Sequence, residues 1–457
     1  MDQQQPGPGE KPGLQRKQKL HIGLVHWSFP PVVGGVETHL WDYSKALAGR
    51  GHQVTVFTGS IGARRPCDGV RVIRNEVLDL SAGYEDNEET VTELRDWFRS
   101  QLAQSGDPIR LVHGHNLHHF SSAPARALKA LQSELDLVLL HTYHSIWRTD
   151  EDKRIARECA VWDVHHAVSD FLVTQCSEVL GQGAEHTGPK VEPTYLGVDT
   201  SLYTNIPEVE DEPGRHPVVL LPARLIPDKG AEVAILMLKL LVERAKGRKG
   251  ELALLRPRLV LTDPFETVDF HGERGQFRGE LSKLVEVCEL AEGPGQDVEF
   301  RPAGIEDMRK LYQEATVVVY PSLFDEPMGL APLEAMCAAR PVVATGVGGL
   351  GEGGSKLVAL DKKDEKGEEV EELASRFADE LWPLLTEPSL ARKAGCMARE
   401  HVVGHFDLEQ VYVKPMLAEY RRLLGPDPDA YECDIPQPSG SPETLDTPSL
   451  STSTVTD

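Results

Sequence analysis

Hydrophobic and polar positions alternate along this chain in two successive blocks of short apolar runs and amphipathic segments. The first block opens on 20-LHIGLVH-26, a continuous apolar run of strand length. After a Pro/Gly loop, Val36, Leu40, Tyr43 and Leu47 recur at helical spacing through about Ala48. Strands are then expected at 53-QVTVF-57, 110-RLVH-113, 137-LVLLHT-142 and 165-HHAVS-169. Residues 199–216 are polar, carry two prolines and read as a linker. The alternation restarts with a strand at 218–222, a helix over about 229–246 and a strand at 257–262. A helix around 278–291, a strand at 297–300, a helix at 305–314 and a strand at 316–320 follow. A helix from about 330 and a strand at 341–345 close the series.

Apolar strands separated by helices predict parallel sheets covered on both faces. The expected fold is α/β, with two Rossmann-like, doubly wound domains facing across a cleft. Their expected bounds are 20–198 and 217–405, with the linker at 199–216 between them. In such folds ligands sit beyond the carboxyl ends of the strands. A last helix is expected within 406–425, with apolar Val411, Leu417 and Leu423, and the pattern gives it no partner. Residues 1–19 and 426–457 are rich in Pro, Ser, Thr and Gly with few large apolar side chains. Neither can bury enough surface to offset its ordering entropy, so both are expected to be disordered tails.

Charge narrows the function. The 457 residues carry 48 Lys and Arg against 72 Asp and Glu, a net −24. Nucleic-acid binding needs a basic face, and docking on anionic lipid needs a basic patch, so neither is expected. No apolar run approaches the roughly 18 residues of a membrane helix, and the start of the chain is polar, so no membrane insertion is expected. The seven cysteines are scattered without metal-ligand spacing, which reads as reduced thiols in a cytoplasmic protein.

The densest chemistry lies in 320-YPSLFDEPMGLAPLEAM-336, with Glu326 and Glu334 eight positions apart. Pro327 and Pro332 confine a helix start to about 329–332, because proline is tolerated mainly in a helix's first turn. Eight helical residues span ~12 Å, too far for two carboxyls to share one proton. They read as two contacts on one long ligand. Between them the amides of Met328, Gly329, Leu330 and Ala331 are unpaired donors at a helix start, an anion site. A nucleoside-diphosphate sugar has that layout. The alternative is a helix-capping Glu326 and a solvated Glu334.

The stretch 326-EPMGLAPLEAMCAARPVVAT-345 resembles the E-x7-E signature of retaining glycosyltransferases of the GT-B fold, group-4 family. The R-x4-K-G element of that family is matched by 222-PARLIPDKG-230, its Gly-Gly loop by 30-PPVVGGVETHL-40, and its entry to the second domain by 195-YLGVDTSLY-203. The landmarks run from about 20 to 425. The resemblance implies a metal-independent hexosyltransferase without a cofactor. Its donor would be a UDP- or GDP-sugar held by the second domain, and its acceptor would be held by the first; the acidic balance and the lack of a basic amphipathic helix favour a soluble small molecule or glycan over a lipid as that acceptor. It implies that Glu334 grips the ribose, that Glu326 and the amides of Met328, Gly329 and Leu330 contact the donor sugar, and that Arg224 and Lys229 neutralise the departing diphosphate. Gly34 and Gly35 would let the backbone approach a phosphate or sugar. A histidine faces the donor sugar in this family, and His144 stands at that place. A non-catalytic relative, or another GT-B sugar-nucleotide enzyme such as an epimerase, stays open.

The remaining features are weighed against simpler readings. Histidines cluster in 113-HGHNLHH-119, 141-HTYHS-145 and 165-HH-166 without an Asp, Glu or Cys set to complete a metal shell. His113 and His115 end a strand and are expected on the acceptor side. The stretch 346-GVGGLG-351 matches GxGxxG, yet 357-LVALDKKDEKGEE-369 after it is too charged for the amphipathic helix a dinucleotide site needs. Gly348, Gly349 and Glu352 match a Gly-Gly-x-x-E turn of the family and are expected to line the sugar-phosphate site. Departures from the pattern fall at 262-TDPFETVDFHGERG-275 and 300-FRPAGI-305, near where the family seats the base or the donor. Ala339 replaces the motif's glycine, a small change if its φ is negative.

Overall fold

The computed structural model describes residues 19–60, 66–81, 84–104, 107–146, 149–181, 188–204, 216–264, 274–359 and 370–425. The expected tails at 1–19 and 426–457 lie outside the described residues except Lys19, as do 205–215 of the linker, 265–273 of the loop at 262–275 and 360–369 of the charged stretch.

The first sheet contains β1 (His21–Val25), β2 (Gln53–Thr58), β3 (Val70–Arg74), β4 (Leu111–His115), β5 (Val138–Tyr143), β6 (Val164–Ala167) and β7 (Val191–Pro193), in the order β3-β2-β1-β4-β5-β6-β7. The second contains β8 (Val218–Leu221), β9 (Arg258–Thr262), β10 (Val298–Arg301), β11 (Val317–Tyr320), β12 (Val342–Thr345) and β13 (Lys356–Val358), in the order β10-β9-β8-β11-β12-β13. Every pairing is parallel, so the carboxyl ends of each sheet point one way. Both sheets reverse their winding beside their first strand, the position that opens a crevice for a ligand.

Helices α1 (Gly35–Gly49), α2 (Glu88–Leu102), α3 (Ala123–Leu135), α4 (Asp150–Glu158) and α5 (Asp170–Leu180) cover the first sheet. Helices α6 (Ala231–Lys246), α7 (Arg274–Val287), α8 (Ile305–Glu314), α9 (Leu330–Cys337), α10 (Val370–Thr386) and α11 (Pro388–His405) follow in the second half. Leu40, Tyr43 and Leu47 of α1 are fully buried, as their spacing requires. In α5, Ser169 caps the first turn by accepting from the Leu172 amide at 3.1 Å.

The last helix finds its partner in the first half. A π-helical turn over Glu409–Val413 leads into α12 (Lys414–Leu424). Its Tyr420 hydroxyl accepts from Tyr43 at 2.8 Å and lies 2.6 Å from His113 Nδ1. At the crossing the Val198 amide donates to the Phe406 carbonyl at 2.8 Å, and the Leu408 amide donates to the Val198 carbonyl at 2.9 Å. The chain therefore returns to the first sheet after completing the second.

One expectation fails in the backbone. Ala339 has φ +55°, in the left-handed region, so its replacement of glycine is not neutral.

Candidate functional site

A cavity of about 320 Å³ collects residues from the carboxyl ends of both sheets. The first half supplies Trp27 after β1, Gly34 to Glu37 at the head of α1, Asn116 and His119 after β4, and His144 and Ser145 after β5. The second half supplies Arg224 after β8, Thr262 at the end of β9, and Lys229, Glu326, Met328, Leu330 and Glu334. The volume is within the range of small-molecule pockets.

On the second wall Lys229 is placed by backbone geometry. It ends a 3₁₀ turn closed by Gly230, whose φ is +70° and whose hypothetical Cβ would lie 2.0 Å from the Pro321 carbonyl oxygen. Only glycine fits there. The Lys229 ammonium donates to Glu326 Oε1 at 2.6 Å, and Ser322 Oγ donates to the same oxygen at 2.8 Å. The ammonium also faces the Phe324 ring, 4.5 Å from its centroid. Burial lowers the Lys229 pKa, against the opposing charge of Glu326. Arg224 and Glu37 both line the cavity, and the Arg224 charge helps to ionise Glu37.

Glu334 is part-buried on α9 and accepts from the Tyr312 hydroxyl at 2.9 Å. Burial pushes its pKa up to about 7, with the Asp42 carboxylate adding to the rise and Tyr312 opposing it. Gly329 is the N-cap of α9 and, unlike Met328 and Leu330, does not line the cavity. A Cβ there would lie 2.6 Å from Leu350 Cδ2.

The first wall is built from imidazoles. His144 lies on the cavity, with Nε2 2.9 Å from His115 Nδ1. Asn116 fixes the loop by accepting the His144 amide at 2.7 Å and the Ser145 amide at 3.2 Å. Burial, then neighbouring histidines, hold His144 and His115 well below the usual histidine range, so both are neutral at pH 7. Glu37 is also buried. Burial alone would raise its pKa, but His26 at 3.4 Å and the charge of Arg224 outweigh that and lower it.

His113 and His115 are not where the sequence put them. Neither lines the cavity. His113 is fully buried between Tyr420 and Thr142 Oγ1, the latter at 2.8 Å, and ties the last helix to β4. His115 stands behind His144 as its hydrogen-bond partner. The Gly-Gly-x-x-E turn is also corrected. Gly348, Gly349 and Glu352 do not line the cavity; the Gly349 amide donates to the Glu326 carbonyl at 2.6 Å, bracing the glutamate from behind.

Sequence reasoning missed Glu37, Asn116, Tyr312 and His39. His39, His115 and His144 each offer a ring nitrogen within 4.8 Å of the other two. His115 and His144 spend one nitrogen each on one another, and both His39 nitrogens, His115 Nε2 and His144 Nδ1 have no hydrogen-bond partner among the described residues. The carboxylate or carbonyl that normally orients a metal-ligating imidazole is therefore lacking around this trio.

The likeness to known proteins runs along both halves. A family described as Glycosyltransferase Family 4 matches residues 33–202, and one described as Glycosyl transferases group 1 matches residues 267–378. The chain is 26% identical to a glycogen synthase of Mycobacterium tuberculosis, over 86% of this chain and 92% of that protein. It is 27% identical to a D-inositol 3-phosphate glycosyltransferase of Corynebacterium efficiens, over 80% and 86%. The sucrose-phosphate synthase structure from Thermosynechococcus elongatus superposes with a TM-score of 0.67 at 21% identity, covering 89% of this chain and 99% of that one. The Anabaena HepE structure solved with UDP and glucose superposes with a TM-score of 0.61 at 17% identity, covering 88% and 100%. Two parallel-sheet domains, a shared cavity at their strand ends and these relatives together make this chain a group-4-like glycosyltransferase of the GT-B fold, acting on a sugar-nucleotide donor.

Proposed function

We propose that the protein transfers a hexose with retention of configuration, without a metal, from a UDP- or GDP-sugar to a soluble small-molecule or glycan acceptor. The observation that carries this reading is the convergence of Arg224, Lys229, Glu326 and Glu334 on one cavity faced by the Gly34–Gly35 helix start. Arg224 and Lys229 supply the positive charge that a departing diphosphate requires, and the amides at the head of α9 add to it. Glu334 accepts the ribose hydroxyls. Glu326 and the amide of Met328 hold the sugar, and Leu330 closes the wall beside them. His144 faces the sugar from the other domain as a neutral group held by His115. No protein nucleophile is assigned; the acceptor attacks the face that the diphosphate leaves.

Among the described residues no helix is long and apolar enough to cross a membrane. Cys67, Cys159, Cys176, Cys288 and Cys337 are buried free thiols, which supports a cytoplasmic setting.

Calorimetric titration with UDP, GDP, ADP and NAD, with and without EDTA, tests the reading. Saturable binding of UDP or GDP, unchanged by EDTA, is expected. Binding of NAD alone, or of no nucleotide, would overturn it and favour a non-catalytic relative.

A further inference from the structure

The donor side of the cleft is tied to the opposite domain at one place outside the cavity. The Glu352 carboxylate accepts the Asp170 amide through Oε2 and the Phe171 amide through Oε1, both at 2.9 Å. These are the first two amides of α5, which belongs to the first sheet. Such amides have no partner inside their helix and carry the positive end of its dipole, so a carboxylate is the complementary group. Ser169, the cap of the same helix, donates to the Pro327 carbonyl at 2.5 Å. One helix end thus grips both the Gly-Gly-x-x-E turn and the residue following Glu326.

The grip reaches the site through backbone. Gly348 has φ +58°, and a Cβ there would lie 2.2 Å from the Glu326 carbonyl oxygen. The adjoining Gly349 amide donates to that oxygen at 2.6 Å. Glu326 in turn holds Lys229. Any movement of Glu352 relative to α5 must therefore shift the turn that braces the glutamate.

We propose that Glu352 is a positioning residue: it fastens the loop carrying Glu326 to α5 of the acceptor-side domain, so that the sugar end of the site is set only while the two domains are engaged. The proposal rests on the glycosyltransferase reading for its meaning, but its geometry can be tested separately. Hydrogen exchange at residues 168–173 is followed in the wild type, in Glu352→Gln and in Glu352→Asp, each with and without UDP, and UDP affinity is measured by calorimetry. Gln keeps one accepting oxygen and loses the charge; Asp keeps the charge but is one methylene too short to span both amides. Exchange of the Asp170 and Phe171 amides is expected to rise at least tenfold in both variants. UDP is expected to slow that exchange in the wild type only, with its Kd changed less than threefold. Equal exchange in wild type and variants would overturn the proposal. So would a loss of UDP affinity in proportion to a lowered Tm, which would make Glu352 merely structural. If UDP does not bind the wild type, the functional reading fails, and the unliganded exchange still decides the latch.

Discussion

The wall of the cleft that follows β8 and β11 keeps a buried ion pair. Lys229 is buried against Glu326, Arg224 lines the cavity, and Glu334 is held by Tyr312. The wall that follows β4 and β5 keeps polar side chains but discards their charge, because burial holds His144, His115 and their neighbours neutral. The difference matches what each wall would meet. A diphosphate needs fixed cations, whereas hydroxyls of a sugar or acceptor need uncharged hydrogen-bonding groups that do not compete for the leaving anion. The two walls should consequently respond to acid with opposite signs.

That contrast gives the largest expected effect. His39, His113, His115, His118, His119, His141 and His144 all have folded-state pKa values lowered by burial, to about 3 for His39 and His118. In the unfolded chain they titrate near ~6.5. Their contribution is fully present above that value and is lost as pH falls toward the folded values, because the unfolded chain takes up the protons first. Each loses roughly 1 kcal/mol per pH unit below ~6. Urea unfolding followed by tryptophan fluorescence should show a collapse between pH 7 and 5, since five of the six tryptophans lie in the first block. Glu334, whose pKa is raised to about 7, acts in the opposite sense and favours folding as pH falls from about 7 toward its unfolded value. A urea midpoint independent of pH over this range would erase the distinction between the walls.

The charged wall is tested next by Lys229→Ala. This leaves the Glu326 carboxylate buried without its cation, which costs ~3–5 kcal/mol for a broken buried pair. Lys229→Met with Glu326→Gln removes both charges and should restore much of that stability while leaving UDP binding weak. Chemical denaturation and calorimetry on the same variants separate the two. If the double variant bound UDP as the wild type does, Lys229 would be structural only.

The division of roles sharpens further in Glu334→Ala and His144→Ala. Removing Glu334 should weaken UDP by ~1.5–3 kcal/mol, the value of a hydrogen bond to a charged group. His144→Ala should spare UDP affinity and lower turnover. In the wild type, affinity should rise from pH 6 to 8 as Glu334 ionises, and Glu334→Gln should flatten that rise. Equal loss of affinity in both alanine variants would contradict the assignment.

The same contrast explains which parts could be read from the chain. Buried central strands are continuous apolar runs, and they stand within a residue or two of the expected positions. The edge strands Val70–Arg74, Val191–Pro193 and Lys356–Val358 were not expected, because they are short or half-polar. Arg224, Lys229, Glu326 and Glu334 lie in two contiguous stretches whose Pro and Gly spacing dictates the local turns. The imidazole wall is assembled from α1, β4 and the loop after β5, so nothing local could join His39 to His144. Tyr312 carried no signal either, because its hydroxyl meets Glu334 only when β11 and α9 fold back past α8.

The smallest effect tests the one departure inside the legible stretch. Ala339 follows α9 with φ +55°, where an L side chain crowds its own carbonyl at a cost of ~1–2 kcal/mol. Glycine would remove that strain but would raise the conformational freedom of the unfolded chain, which opposes it by ~0.5–1 kcal/mol. The net expectation for Ala339→Gly is a gain of ~0.5–1 kcal/mol in unfolding free energy. The gain should be seen in urea midpoint without any change in UDP affinity, because Ala339 does not line the cavity. The main obstacle is crowding at the neighbouring helix, where the Ala339 carbonyl oxygen lies only 2.1 Å from the place a Cβ on Gly395 would occupy. That close backbone approach survives the substitution, so within the folded state only the strain at φ changes. A loss of stability in Ala339→Gly would mean that the left-handed conformation is imposed by the α9–α11 packing so firmly that the alanine's lower unfolded entropy outweighs its strain.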